Sequence, residues 1–286
     1  MKVGLALGGG GSKGSYQVGV LKALLEENLL DNLKVVSGTS IGALNACLVM
    51  EKQNFDQMYD LWSRINNDIL YRLSNNRFLH DRLGLFNQGT MYEVLISKQP
   101  KEVIHNSPID GFVTATKIKE YGIRQQLKQE FMEGEIIHLN KAKDPHKFVL
   151  ASASVPIVFG PTEIDGEFYV DGGLFDNLPV NILIENGCNT IITVGLNPNH
   201  DLNPYIENND KLIIDFSPIR KLTFSILGML DFDQKQMDKR IDLGYENAKL
   251  LIEKLKEEKV IINGKWNSDI KGLYQLKDEE LFIEQK

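Results

Sequence analysis

The chain has 286 residues, 42% of them hydrophobic, and a net charge of −7, with a pI of about 5.4. That apolar content supports one large α/β domain with a sizeable core. The acidic balance argues against a nucleic-acid partner, which needs a basic patch, and gives no general attraction to anionic membranes. The two cysteines, Cys47 and Cys188, lack C-x-x-C spacing, which argues against a disulfide framework and a cysteine zinc site. With no apolar h-region after Met1 and no run approaching 18 apolar residues, the expected location is cytoplasmic.

The chain opens with Lys2 to Leu7, a predicted strand, followed by the glycine-rich run Gly8 to Gly14. Ser15 to Glu27 then carries Val18, Leu21 and Leu25 on one helical face. Lys34 to Val36 reads as a second, buried strand, and Ile41 to Met50 as a helix apolar nearly all round. A β-α-β-α start implies a parallel sheet with helices on its faces.

Between the second strand and second helix lies Gly38-Thr39-Ser40-Ile41-Gly42. A G-x-S-x-G sequence in a strand–turn–helix context is the signature of a nucleophile elbow. Gly38 and Gly42 leave room for a sharp turn that presents Ser40 at the positive end of the following helix.

The glycine loop has competing readings. Gly9, Gly11 and Gly14 fit the dinucleotide pattern G-x-G-x-x-G, but the second strand ends in Ser37-Gly38, without the acidic residue that binds ribose. A P-loop is also lacking, because Gly14 follows Lys13. An oxyanion hole fits better: successive glycines let several N–H groups turn toward one point, one strand from a nucleophilic serine.

Phe55 to Ile65 reads as a helix with a core-facing stripe. Asn66 to Gln88 reads as a loop or a lid, and Thr90 to Ile96 as a short helix. Gly111–Thr116, Tyr121–Gln126 and Ile136–Leu139 are strand candidates. Asp144 and Pro145 start a helix that Pro156 and Pro161 close. Gly166 to Val170 is a strand feeding Asp171-Gly172-Gly173. A carboxylate there is presented at the C-terminal rim of the sheet, where α/β folds place chemistry, although D-G is also a common turn dipeptide. Asn177-Leu178-Pro179 begins another helix. Thr190–Leu196 and Lys211–Phe216 are strands, Leu222–Leu230 is an apolar stretch behind Arg220 and Lys221 that reads as core packing ahead of a lipid contact, and Gln234–Lys259 holds a long helix. The expected organisation is one domain over residues 1–250, with a charged extension, 251–286, packed on it.

GGGGSKG, GTSIG, ASASVPIVFGPTEIDGEFYVDGG and the following DNLPV together resemble bacterial patatin-like phospholipases. The resemblance runs from Lys2 to roughly Tyr245 and is weakest over residues 51–135. It implies a three-layer α/β/α fold with a mainly parallel sheet and a Ser–Asp dyad. Ser40 would be the nucleophile, Asp171 the base, and the backbone of Gly9, Gly10 and Gly11 the oxyanion hole, framed by Gly14, Gly38, Gly42, Gly172 and Gly173. The implied activity is acyl-ester hydrolysis on phospholipids or other lipids, without a metal. No cofactor is expected, and the expected partners are an acyl-ester lipid and, transiently, a membrane surface, although the sequence shows no obvious membrane-binding element.

A serine hydroxyl needs a base to become a nucleophile, and a free carboxylate is a weak one unless burial raises its pKa. None of the five histidines, His80, His105, His138, His146 and His200, sits in a motif. The alternative within enzymes is a Ser–Asp–His α/β-hydrolase completed by His200. The alternative outside enzymes is a nucleotide- or ligand-binding module.

Overall fold

In a computed structural model, residues 1–70, 93, 100–119, 128–198, 200–207, 210–223 and 226–277 are described. The described strands are β1 (Val3–Leu7), β2 (Leu33–Thr39), β3 (Asp110–Ile118), β4 (Met132–His138), β5 (Thr162–Ile164), β6 (Glu167–Asp171), β7 (Thr190–Val194), β8 (Leu212–Asp215), β9 (Ile261–Ile262), β10 (Lys265–Trp266) and β11 (Gly272–Gln275). The described α-helices are α1 (Ser15–Glu26), α2 (Ile41–Met50), α3 (Phe55–Arg64), α4 (Asn67–Leu70), α5 (Lys101–His105), α6 (Pro145–Ser152), α7 (Asn181–Glu185), α8 (Ile226–Met229) and α9 (Gln234–Glu257).

The central sheet runs β11-β8-β7-β1-β2-β3-β6-β5, with β4 also on β3. From β11 to β3 every pairing is parallel, while β4, β5 and β6 join antiparallel. β1 is buried along its whole length because it is flanked on both edges and covered on both faces, which is why its sequence is apolar without alternation. One face packs Val3, Leu5, Leu7 and Val36 against residues of α1, α2, α3, α6 and α9. The other packs Ala6, Val35, Ile191 and Ile213 under α7 and residues 202–206. These are the three layers. α1 and α9 touch backbone to backbone: a Cβ on Gly19 would overlap the Ile241 carbonyl, and one on Gly244 the Tyr16 carbonyl.

β3 serves two strands on one edge. Its residues 110–114 pair with β2 and residues 115–118 with β6, while β4 occupies the opposite edge. β2 runs up to the Thr39–Thr114 pair, and β6 runs down to the adjoining Asp171–Ala115 pair. Two strands of opposite direction therefore meet with their C-terminal ends facing.

Some expectations change. β4 starts four residues earlier than the apolar pair Ile136-Ile137 indicates, because an edge strand tolerates Glu133, Gly134 and Glu135. The helix expected from Asn177 starts at Asn181 instead; residues 176–180 form a turn in which the Asp176 carboxylate accepts from Leu178 N at 3.1 Å. The extension contributes the β9–β10 hairpin and the edge strand β11, which pairs with β8, and α9 runs through residue 250 without a break. The expected helix at 90–96, apart from residue 93, and the expected strand at 121–126 lie outside the described residues, as does most of the 66–88 segment.

Candidate active site

Ser40 sits between the end of β2 and the start of α2 with φ 54° and ψ −124°, a left-handed conformation that costs a non-glycine residue of order 1–3 kcal/mol. The surrounding packing enforces it. A Cβ on Gly38 would overlap the Gly42 carbonyl, and a Cβ on Gly42 would overlap the Leu7 carbonyl. The elbow therefore closes only with glycine at both flanks. Ser40 N donates to Ser152 Oγ at 2.8 Å, fixing the turn to the end of α6.

The Ser40 hydroxyl donates to Asp171 Oδ2 at 2.7 Å. The other oxygen, Oδ1, accepts from Gly173 N at 2.7 Å, so the carboxylate is held in one plane. Asp171 N donates to Ser154 O at 2.9 Å, and Thr116 Oγ1 donates to Asp171 O at 2.9 Å. Gly172 is obligatory, since a Cβ there would overlap the Thr114 carbonyl. Burial pushes the Asp171 carboxyl up to about 6, against the lowering effect of the bonds from Ser40 and Gly173. No cation is among the groups acting on it. The carboxylate is thus ionised near neutral pH yet far more basic than a solvated aspartate.

The glycine loop approaches from β1. A Cβ on Gly9 would stand 3.0 Å from Ser40 Cβ and 2.6 Å from Asn177 Oδ1, so Gly9 shapes the space beside the hydroxyl. Its amide is already used, donating to Asn177 O at 3.0 Å. Among the described residues, Gly10 N and Gly11 N have no acceptor. Of the three glycines expected to donate to an oxyanion, Gly9 thus has its amide engaged by Asn177 O. Gly14 ends the short 3-10 turn Gly11–Gly14 that leads into α1.

Several residues that hold this arrangement were not singled out from sequence. Asn177 bonds Gly9 through its own carbonyl and through Nδ2, the latter at 3.4 Å to Gly9 O. Gln17 Nε2 donates to Gly8 O and Val194 O, both at 2.9 Å. Asn45 Nδ2 donates to Gly14 O at 3.0 Å and Gln17 Oε1 at 2.8 Å, and Asn45 Oδ1 accepts from Trp62 Nε1 at 2.9 Å. The available signal was a lone amide, Asn45, in the otherwise apolar α2. Lys13, nearly fully buried, donates to Leu196 O at 3.0 Å and Asn197 Oδ1 at 2.7 Å, stapling the loop to the end of β7. Its pKa is pushed down to about 8 by burial and by the Arg240 charge.

His200 is not part of this constellation. Its Nε2 is 3.1 Å from Asp215 Oδ2 and from Ser217 Oγ, and its Nδ1 is 2.9 Å from Asn197 O. The Ser–Asp–His alternative fails because Asp171 meets Ser40 directly and His200 has a different aspartate. Among the described residues, no cluster of His, Cys, Asp and Glu has the arrangement of a metal site.

A family model described as "Patatin-like phospholipase" matches residues 5–184, which include the elbow, the glycine loop and the Asp-Gly-Gly turn. The chain belongs to the patatin-like phospholipase family. Lysophospholipase NTE1 of Saccharomyces cerevisiae is 25% identical over 221 residues, which cover 73% of this chain and 12% of that protein. Lysophospholipase NTE1 of Meyerozyma guilliermondii is 27% identical over 213 residues, covering 71% of this chain and 13% of that protein. The patatin-like chain thus spans about an eighth of the length of these relatives. Among solved structures, VipD from Legionella pneumophila aligns with a TM-score of 0.48 and 14% identity, covering 88% of this chain and 66% of that one. In this patatin-like chain no described helix is long and apolar enough to cross a membrane.

Proposed function

We propose that this domain is a serine lipid acyl hydrolase of the phospholipase A or lysophospholipase type. The observation that carries the reading is the 2.7 Å bond from the Ser40 hydroxyl to a buried, cation-free carboxylate. In this reading Asp171 Oδ2 takes the Ser40 proton as Oγ attacks the ester carbonyl. Negative charge then develops on the carbonyl oxygen, and in this reading the Gly10 and Gly11 amides and the N-terminus of α2 stabilise it. Asp171 returns the proton to the departing alcohol, leaving an ester on Ser40. Water then attacks that ester, giving its proton to Asp171, and the fatty acid leaves as Oγ recovers the proton.

A lipid substrate is supported by the surface around the dyad. Leu174 and Phe175, immediately after the Asp-Gly-Gly turn, are 47% and 51% exposed. Phe175 packs over Gly134 of β4, and Ile136, on the same face of that strand, is 39% exposed. This apolar lip suits an acyl chain or brief contact with a lipid surface. The names of the relatives point the same way. A reducing, cytoplasmic setting is supported by Cys47 and Cys188, both buried and unpaired. The nucleotide-binding alternative is disfavoured because β2 ends at Thr39 with Ser40 next, where a ribose ligand would need an acidic side chain.

Labelling with a fluorophosphonate tests the assignment. The expected result is one adduct, on Ser40, lost in Ser40→Ala. An unlabelled Ser40 in folded protein overturns it.

A further inference from the structure

A second feature lies on the same rim as the dyad. The chain leaving β8 and the first half of α9 enclose a cavity of about 330 Å³, walled by Arg220, Lys221, Lys239 and Arg240 over an apolar floor that includes Ile219 and Leu222. Four cations meet there with no carboxylate in the lining, in a chain whose net charge is −7. Lys221 and Lys239 are exposed at the mouth, and Arg240 is buried at the back. Arg240 meets backbone carbonyls: those of Ser12 at 3.4 Å, Gly228 at 3.4 Å and Asp231 at 3.5 Å. The carboxylates that act on it are Asp231 and Asp233. Their Oδ1 atoms accept from Asn67 Nδ2 and Asp233 N, and from Gln236 N, respectively. Leu243, at the edge of the cavity, is 40% exposed.

We propose that this basic pocket docks the phosphate head group of an anionic glycerophospholipid at a bilayer surface. The choice of a lipid rests on the acyl-hydrolase reading above; the charge complementarity does not. Phosphate is the ligand chemistry that a guanidinium flanked by ammonium groups recognises. Ile219, Leu222 and Leu243 give the mouth the apolar edge expected where a protein meets the acyl boundary. Because Arg240 also holds Ser12 O, one residue past Gly11, a head group seated here brings the lipid surface beside the glycine loop.

The test is vesicle flotation with Ser40→Ala protein, so that turnover plays no part. Vesicles are phosphatidylcholine alone or with about 20% phosphatidylserine. Ser40→Ala is expected to bind the anionic vesicles at least about tenfold better, with the difference fading as salt rises and the Debye length shrinks from about 10 Å at 0.1 M to about 3 Å at 1 M. Adding Lys221→Glu and Lys239→Glu is expected to abolish the preference, whereas Lys143→Glu with Lys147→Glu, the same charge change elsewhere, keeps it. Circular dichroism and a thermal melt establish that each variant is folded. Equal binding to both vesicle types, or loss of the preference in the Lys143/Lys147 variant as well, overturns the pocket. Inorganic phosphate that raises the melting temperature, an effect lost in the Lys221→Glu, Lys239→Glu variant, yet leaves vesicle binding untouched at matched ionic strength overturns the lipid as its ligand. Failure of the hydrolase reading would appear separately, as the absence of fluorophosphonate labelling at Ser40.

Discussion

Two strand-end aspartates on the same rim each hold a serine hydroxyl, and they differ in everything else. The Asp171 carboxylate has two partners among the described residues, the Ser40 hydroxyl and the Gly173 amide. Asp215 has His200 on Oδ2, and the Thr193 hydroxyl, the Ser217 amide and the Ser217 hydroxyl on Oδ1. Ser40 stands on a strained turn at the head of a ten-residue helix, beside Gly9 of the glycine loop. Ser217 accepts from Gly195 N at 2.6 Å and is tied into a loop before Pro218. A Ser–His–Asp collection thus exists in this molecule, but as a structural knot joining the ends of β7 and β8. Residue types alone do not select a nucleophile; a sparsely bonded base and uncommitted donors nearby do.

That contrast can be broken most sharply at the base. Asp171→Asn is expected to lower turnover of a short-chain nitrophenyl ester by about 10⁴-fold, with kcat/KM of the wild type rising through pH about 6 and flat above it. Near-normal turnover by Asp171→Asn would remove the carboxylate from the chemistry. Next comes the elbow itself: Gly42→Ala, which forces a methyl into the Leu7 carbonyl, is expected to cost about 3 kcal/mol in urea denaturation and to suppress labelling of Ser40.

The base should also weaken the fold it serves. Its carboxyl titrates near 6 in the folded chain and near 4 when unfolded. The folded state therefore holds the proton more tightly, and stability falls as pH rises from about 4 to 6 and stays lower above. Asp171→Asn is expected to stabilise by up to about 3 kcal/mol at pH 8 and by almost nothing at pH 4; a melt unchanged at both pH values refutes this. The smallest effect belongs to the structural knot. His200→Ala is expected to leave ester turnover within about threefold and to cost about 1 kcal/mol of stability, read by kinetics and urea denaturation.

The legibility of the molecule follows a similar divide. From Val3 to Met50 each step is local, strand to turn to helix, and the residues announce it: the apolar runs, the paired glycines, the helix apolar nearly all round. Asp171 was visible as a strand-end acid. That it meets Ser40 was implied only by the family resemblance and not by local pattern, because the meeting depends on β3 running past the end of β2 and accepting a strand of opposite direction. Gln17, Asn45 and Asn177 escaped notice since a buried amide looks like any surface amide until its partners are in place. β9, β10 and β11 were hidden by shortness and by the charges around them.

Ser40 and Asp171 are separated by 131 positions along the chain, yet the gap between them is gauged by one step of β3, from Thr114 to Ala115. The strand works as a ruler with both ends of the reaction marked on adjoining graduations of about 3.3 Å. Whatever is spliced into the excursions before or after β3 leaves those marks untouched. A single residue added or removed inside the ruler would pull the hydroxyl and the carboxylate out of register, which makes β3, a strand with no reacting group of its own, the least editable part of the molecule.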